Sequence, residues 1–200
     1  MKKSTTFIYE YMGGVYVNLT NRCCCDCNFC IRNAGEGLGG EVLWLAHEPS
    51  ADEVIAQLKA MGNLASIPEI VFCGYGEPTY RLDVLLAVAF FGKNNGIKTR
   101  LNTNGLANLI HNRNIILELK NVIDVVSISL NDSSPDRYND LCRPQFGLAA
   151  YPEILDFTAK CIAENMHTIL SVVNVIPPQE IQKCQQIAHS LGAAFRVREI

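Results

Sequence analysis

Short runs rich in β-branched and aromatic residues alternate along the chain with longer stretches whose apolar positions recur at helical spacing. The strand candidates are Val15 to Leu19, Ile70 to Cys73, Lys98 to Asn102, Val125 to Leu130, Ile169 to Val175 and Phe195 to Ile200. Helices are predicted from Ser50, Leu82, about Arg113, Pro135, Gly147 and Pro178. Ser50-Ala51-Asp52-Glu53 reads as a capping box, in which the Ser and Glu side chains satisfy backbone N–H groups that the first helical turn leaves free. Pro135 and Pro178 suit first-turn positions, where a missing N–H is no loss. Upstream, Phe7 to Tyr11, the Gly13-Gly14 pair and Val15 to Leu19 predict a hairpin with a tight turn.

The alternation indicates an α/β fold. Six β-rich runs followed by helices are fewer than the eight that close a barrel of roughly 250 residues. The count fits a partial (β/α)6 TIM-like open barrel with an N-terminal β-hairpin, formed as a single domain over residues 1–200. A doubly wound open sheet is the competing arrangement. In both, ligands gather at the carboxyl ends of the strands.

Strand parity adds a second observation. One parity reads Asn18 and Thr20, then Arg100, Asn102 and Asn104, then Ser127, Ser129 and Asn131, then Arg196 and Arg198; the other is mostly apolar, with Val15, Val17, Leu19, Leu101, Val126, Ile128, Leu130, Phe195 and Val197. A filled barrel interior is normally dominated by branched apolar side chains. If the apolar parity packs under helices, the polar parity converges on an interior that holds a polar ligand, because buried polar groups are costly without partners. The alternative is that this face meets water on an open sheet.

Composition and charge narrow the classes. With 48% hydrophobic and 18% charged residues, the chain reads as an ordinary soluble globular protein. A formal net charge of -3 supplies no basic field for a phosphate backbone, so a nucleic-acid partner is not expected. The longest apolar run, Val84 to Phe91, is far short of the roughly 20 residues a membrane span requires. Met1-Lys2-Lys3 could open a signal peptide, but Ser4, Thr5, Thr6 and Glu10 interrupt any apolar segment behind it. The expectation is a cytoplasmic protein with no membrane partner.

Nine cysteines are many for a cytoplasmic chain, where clustered thiols more often bind metal than form disulfides. Cys73, Cys161 and Cys184 sit in apolar or helical patterns and fit the core, and Cys142 fits neither group clearly. The rest lie in Cys23-Cys24-Cys25-Asp26-Cys27-Asn28-Phe29-Cys30, directly after the first strand. Cys23, Cys27 and Cys30 give C-x3-C-x2-C: three thiolates for three irons of a cubane, with the fourth iron left open to a small ligand. A zinc site using this loop and a further Cys or His is the alternative. A shifted register, Cys24, Cys27 and Cys30, also stays open. The remaining cysteines are too dispersed in sequence to suggest a second cluster.

A C-x3-C-x2-C loop after a first strand, with the aromatic Phe29 before its last cysteine, resembles the radical S-adenosylmethionine (SAM) superfamily. Gly74-Tyr75-Gly76-Glu77-Pro78 after the second strand resembles that superfamily's Gly-Gly-Glu-type motif near the SAM methionine amine. Asn102-Thr103-Asn104-Gly105 and Ser127-Ile128-Ser129-Leu130-Asn131 resemble the places where its members contact SAM ribose and carboxylate. The phrases Tyr16 to Cys23, Phe72 to Thr79, Leu101 to Ala107 and Phe195 to Glu199 look more narrowly like the TatD-linked radical SAM proteins. Cys24, where many superfamily members lack a cysteine, is a departure.

The resemblance implies a 4Fe-4S cluster on Cys23, Cys27 and Cys30, with SAM chelating the open iron. It further implies an external one-electron reductant of flavodoxin or ferredoxin type, reductive cleavage of SAM to a 5'-deoxyadenosyl radical, and hydrogen abstraction from an unidentified small-molecule or protein substrate. Phe29 would pack near adenine, Gly74, Gly76 and Glu77 would surround the methionine amine, and Asn102, Asn104, Ser129 and Asn131 would contact ribose or carboxylate. Arg196 and Arg198 would offer guanidinium forks to an anion of SAM or substrate, with Arg198, nearer the strand end, the better placed. On an exposed edge strand they would instead only discourage pairing. Two other classes remain: a glycyl-radical-type activase of a partner protein, and a nonenzymatic zinc or iron-sulfur binding module.

Overall fold

The computed structural model describes residues 3–33 and 41–199. It contains seven strands and seven α-helices: β1 (Ile8–Tyr11), β2 (Gly14–Val17), α1 (Ala51–Ala60), β3 (Glu69–Phe72), α2 (Leu82–Asn94), β4 (Lys98–Thr103), α3 (Ala107–His111), α4 (Ile116–Leu119), β5 (Val125–Ser129), α5 (Pro135–Cys142), α6 (Ala150–Ala163), β6 (His167–Val173), α7 (Pro178–Leu191) and β7 (Ala194–Arg198). The strands follow chain order in a mostly parallel sheet that is not closed, as the open-barrel reading expects. The backbone gathers into two compact units. One comprises residues 1–23, 31–102 and 121–124, and the other 24–30, 103–120 and 125–200.

In the first unit, β1 and β2 form the expected hairpin. Met12 and Gly13 supply the positive φ values of its two-residue turn, 47° and 76°. β3 pairs parallel to β2, and β4 parallel to β3, in a register that aligns Val17, Phe72 and Leu101. All three are fully buried, on the side opposite Tyr16, Val71 and Arg100. α1 begins at Ser50 with both capping-box bonds formed and buries Val54 and Leu58. α2 buries Leu82, Val84, Leu85, Val88 and Ala89. Its Gly92 lies so close to the sheet that an added Cβ would stand 3.0 Å from Ile70 Cδ1, which sets how near this helix comes.

In the second unit, β5, β6 and β7 are parallel neighbours, with Ser129 opposite Ser171 and Val173 opposite Arg198. α5 and α7 start on Pro135 and Pro178, and α6 follows a 3-10 turn at Gly147–Ala149. The helix expected from about Arg113 is only the four-residue α4, and α3, which precedes it, was not expected. Asn112 turns left-handed (φ 50°) to end α3, and the side chains of Asn108 and Asn114 accept from the backbone N–H groups of Ile115 and Ile116. Asparagine offers such local alternatives to helical bonding, and here three break the pattern. β7 ends at Arg198 and not at Ile200, which lies outside the described residues, as do Met1 and Lys2. No helix among the described residues is long and apolar enough to cross a membrane.

Candidate functional site

Of the ten residues of the polar parity, four are buried, five are half-buried and Arg196 alone is exposed. Asn18, Thr20, Ser127 and Asn131 are each at most 5% exposed. In the first unit, Asn18, Cys73 and Asn102 stand one residue beyond the aligned trio Val17, Phe72 and Leu101, at the carboxyl ends of their strands. The amide nitrogen of Asn18 donates to Leu43 O at 2.7 Å. Its carbonyl Oδ1, and that of Asn102, are buried with no hydrogen-bond partner. Buried acceptors without donors are uncommon and costly. They mark where a polar ligand with N–H or O–H groups would be satisfied.

The turn after β3 is built into the same place. An added Cβ on Gly74 would meet Asn18 Oδ1 at 2.1 Å, and one on Gly76 would meet the carbonyl oxygens of Thr20 and Arg22 at 2.3 and 2.6 Å. The Glu77 N–H donates to Arg22 O at 2.8 Å, so this turn is laid directly on the segment that leads into Cys23. Glu77 is 3% exposed, and its Oε1 accepts from the Thr79 N–H and hydroxyl, capping the 3-10 turn Pro78–Arg81. The structure therefore gives Glu77 a capping role beside any contact with a ligand.

In the second unit, Ser129, Asn131 and Arg198 come together. Arg198 Nη2 donates to Ser129 Oγ at 3.2 Å and to Asn131 Oδ1 at 3.3 Å, and Asn131 Nδ2 points to Cys142 Sγ at 3.4 Å. Asn131 holds a left-handed backbone (φ 62°), which asparagine tolerates and which turns its side chain back at the strand end. The two arginines separate: Arg198 is half-buried on this network, whereas Arg196 is exposed. Asn104 has partners within the chain. Its Oδ1 accepts from Leu106 N–H, and its Nδ2 donates to the thiols of Cys24 (3.1 Å) and Cys25 (3.7 Å).

The cysteine loop divides by environment. Cys24 and Cys25 are buried at 3% and 5% exposure, with Cys25 Sγ 3.8 Å from the Tyr138 hydroxyl, while Cys23, Cys27 and Cys30 are each half-buried. The Cys30 N–H returns to Cys27 O in a tight turn. Asp26 and Asn28 donate to the carbonyls of Cys142 and Leu141, and Gln145 donates to Cys24 O, so residues 24–28 run along the end of α5. Cys142 is a buried neighbour of this loop; its thiol is hydrogen-bonded to Cys27, and that bond together with burial pushes its pKa up. Phe29 is half-buried. Among the described residues, no three Cys, His, Asp or Glu side chains surround one point as a mononuclear ion requires. A cubane makes a different demand, one thiolate per iron.

Residues 17–191 match the Radical SAM superfamily. The chain belongs to that superfamily. A curated relative of this radical SAM chain, the uncharacterized protein MJ0804 of Methanocaldococcus jannaschii, is 29% identical over 115 residues, covering 57% of this chain and 37% of its own. Among solved structures, Streptococcus suis SuiB bound to the precursor peptide SuiA superposes with a TM-score of 0.68 at 15% identity, over 92% of this chain and 38% of SuiB. SuiB bound to S-adenosylmethionine gives 0.65 at 17% identity over the same shares. A radical SAM methyltransferase from Sphaerobacter thermophilus gives 0.62 at 14%, over 96% of this chain and 68% of that one. These likenesses show the fold. The radical SAM chain thus spans well under half the length of MJ0804 and of SuiB.

Sequence reasoning put Asn18 on the polar parity but not among the site residues, and it passed over Glu48 altogether. Asn18 had a signal, since it shares its face and level with Asn102. Glu48 had none, because its partners Thr20 and Arg22 are more than twenty residues away in the chain.

Proposed function

We propose that this chain is a radical SAM enzyme whose 4Fe-4S cluster is held by Cys23, Cys27 and Cys30. The observation that carries the assignment is the sorting of thiols by depth within one loop: the three at C-x3-C-x2-C spacing are half-buried, whereas Cys24 and Cys25 are buried at 3% and 5% exposure. That sorting favours this register over the one that begins at Cys24. When bound, the cluster and SAM supply reductive cleavage of the sulfonium and hydrogen-atom abstraction from substrate, with electrons from a flavodoxin- or ferredoxin-type donor.

The chain's own residues bind and orient. Asn18 and Asn102 offer carbonyl acceptors to the amine or hydroxyl groups of SAM. Gly74 and Gly76 keep the β3 turn close to the strand ends, so that the ligand meets backbone there. Arg198, steadied by Ser129 and Asn131, presents its guanidinium to a carboxylate or phosphate. Phe29 offers an apolar surface to adenine, and the buried apolar parity beneath excludes water. The resemblance to TatD-linked proteins belongs to this proposal.

Anaerobic reconstitution with iron and sulfide, followed by electron paramagnetic resonance with and without SAM, tests the reading. A 4Fe-4S signal that changes on SAM addition, together with deoxyadenosine production under reduction, is expected. An unchanged spectrum with no deoxyadenosine would reduce the chain to a binding module.

A further inference from the structure

The polar side chains that lead into Cys23 are spent on one returning segment, residues 43–48. Asn18 Nδ2 donates to Leu43 O at 2.7 Å, and Asn21 both donates to Leu45 O (2.9 Å) and accepts from Leu45 N–H (3.0 Å). Glu48 closes the series. Its Oε1 accepts from the Thr20 hydroxyl at 2.5 Å and from Arg22 Nε at 2.7 Å, and its Oε2 accepts from Arg22 Nη2 at 2.9 Å and Arg81 Nη1 at 3.4 Å. The Arg22 guanidinium also lies over the Tyr80 ring, 5.1 Å from its centroid.

Exposed ion pairs add little to global stability, and Arg22 is 54% exposed at its side chain. What distinguishes this pair is its geometry and its place. The fork is bidentate, it is tied to a Thr20 that is 1% exposed, and both gripped residues supply the carbonyls on which Gly76 rests. Arg22 adjoins Cys23 in the chain and receives the Glu77 N–H. Burial raises the Glu48 pKa, but the bonds from Arg22 and Thr20 outweigh it and hold the carboxyl below its usual range.

We propose that Glu48 is a positioning residue for the cofactor site: by gripping Thr20 and Arg22 it fixes the backbone that presents Cys23 and seats the Gly74–Glu77 turn. The proposal rests on Cys23 being a cluster ligand. The partners of Glu48 are Thr20, Arg22 and Arg81, so it acts through the segment it holds.

The test uses the full chain in two variants, Glu48→Gln, which keeps size and one acceptor but loses the charge, and Arg22→Lys, which keeps charge but loses the fork. In the reduced, metal-free protein, alkylation of Cys23, Cys27 and Cys30 by trace iodoacetamide is followed by mass spectrometry beside the thermal midpoint. In the reconstituted protein, iron loss to a chelator is timed. Both variants are expected to alkylate Cys23 several-fold faster while Cys27, Cys30 and the thermal midpoint stay near wild type, and to release iron faster. Wild-type Cys23 rates in both variants would overturn the proposal. So would a general rise that reaches the buried Cys161, which would make Glu48 merely a stabilising residue. If Cys23→Ala still loads a complete cluster, the ligand assignment fails instead, whatever Glu48 does.

Discussion

Where β2 and β3 end, main chain is pressed on main chain and tied down by side chains as well; where β5 and β7 end, the polar groups of Ser129, Asn131 and Arg198 meet through side chains. In the first region Gly76 rests on the Thr20 and Arg22 carbonyls, Glu77 bonds to Arg22 O, and the segment around Leu43 to Glu48 locks Asn18 to Arg22 from another side. Little there can shift without moving main chain. In the second region Arg198 reaches Ser129 and Asn131 through a long side chain with several rotatable bonds. The first plan suits a ligand that never varies, the second one that does. On the proposed function, a fixed cofactor belongs at the first region, and the variable demands of substrate or carboxylate fall on the second.

The comparison can be broken at its most severe point by the cysteines. Cys23→Ala, Cys27→Ala and Cys30→Ala should each abolish stable iron-sulfur incorporation and SAM cleavage, whereas Cys24→Ala and Cys25→Ala should retain the cluster; iron analysis and electron paramagnetic resonance decide. Retention in Cys23→Ala with loss in Cys24→Ala would establish the other register. Next in size, Gly76→Ala places a methyl against main-chain carbonyls and should cost about 1–3 kcal/mol or more of stability, read by denaturant unfolding. Gly74→Ala, which meets the Asn18 side chain, should cost less. A smaller effect is expected from Arg198→Lys, which keeps the charge but not the fork: several-fold weaker SAM binding or substrate-dependent turnover, with normal iron content and folding. Smallest of all, Arg196→Lys should change stability by no more than about 0.5 kcal/mol and leave SAM affinity at the wild-type value. Equal losses in the two arginine variants would show that both, and not Arg198 alone, serve the ligand.

Most strand positions were legible because β-rich runs and their turns are local signals. The capping box at Ser50 and the prolines opening α5 and α7 formed as their residues dictate, and the hairpin formed with its turn at Met12-Gly13, one residue before the expected Gly13-Gly14 pair. α3 was not legible and α4 came out shorter than expected, because Asn112 turns left-handed and the side chains of Asn108 and Asn114 accept from the backbone at the start of α4. Parity located the polar face but could not say which members would be satisfied. Asn104 meets two thiols and a turn, Glu77 gives one oxygen to a cap, and Arg196 lies outside the buried network. Each of those outcomes depends on a partner distant in sequence or on the depth of a residue along its strand. Neither is written into local pattern.

The distribution of thiols also has a consequence for chemical labelling. Cys161 and Cys184 are fully buried, and desolvation pushes both up to about 12, so at neutral pH they carry almost no thiolate. Cys24, Cys25 and Cys142 are buried as well, while Cys23, Cys27, Cys30 and Cys73 are not. Maleimide stoichiometry on the native, metal-free chain should therefore count the loop thiols and Cys73, and only denaturant should reveal the rest. Shielding on cofactor loading should then remove Cys23, Cys27 and Cys30 from the count, giving a colourless, titratable measure of occupancy that requires no spectrum of the metal.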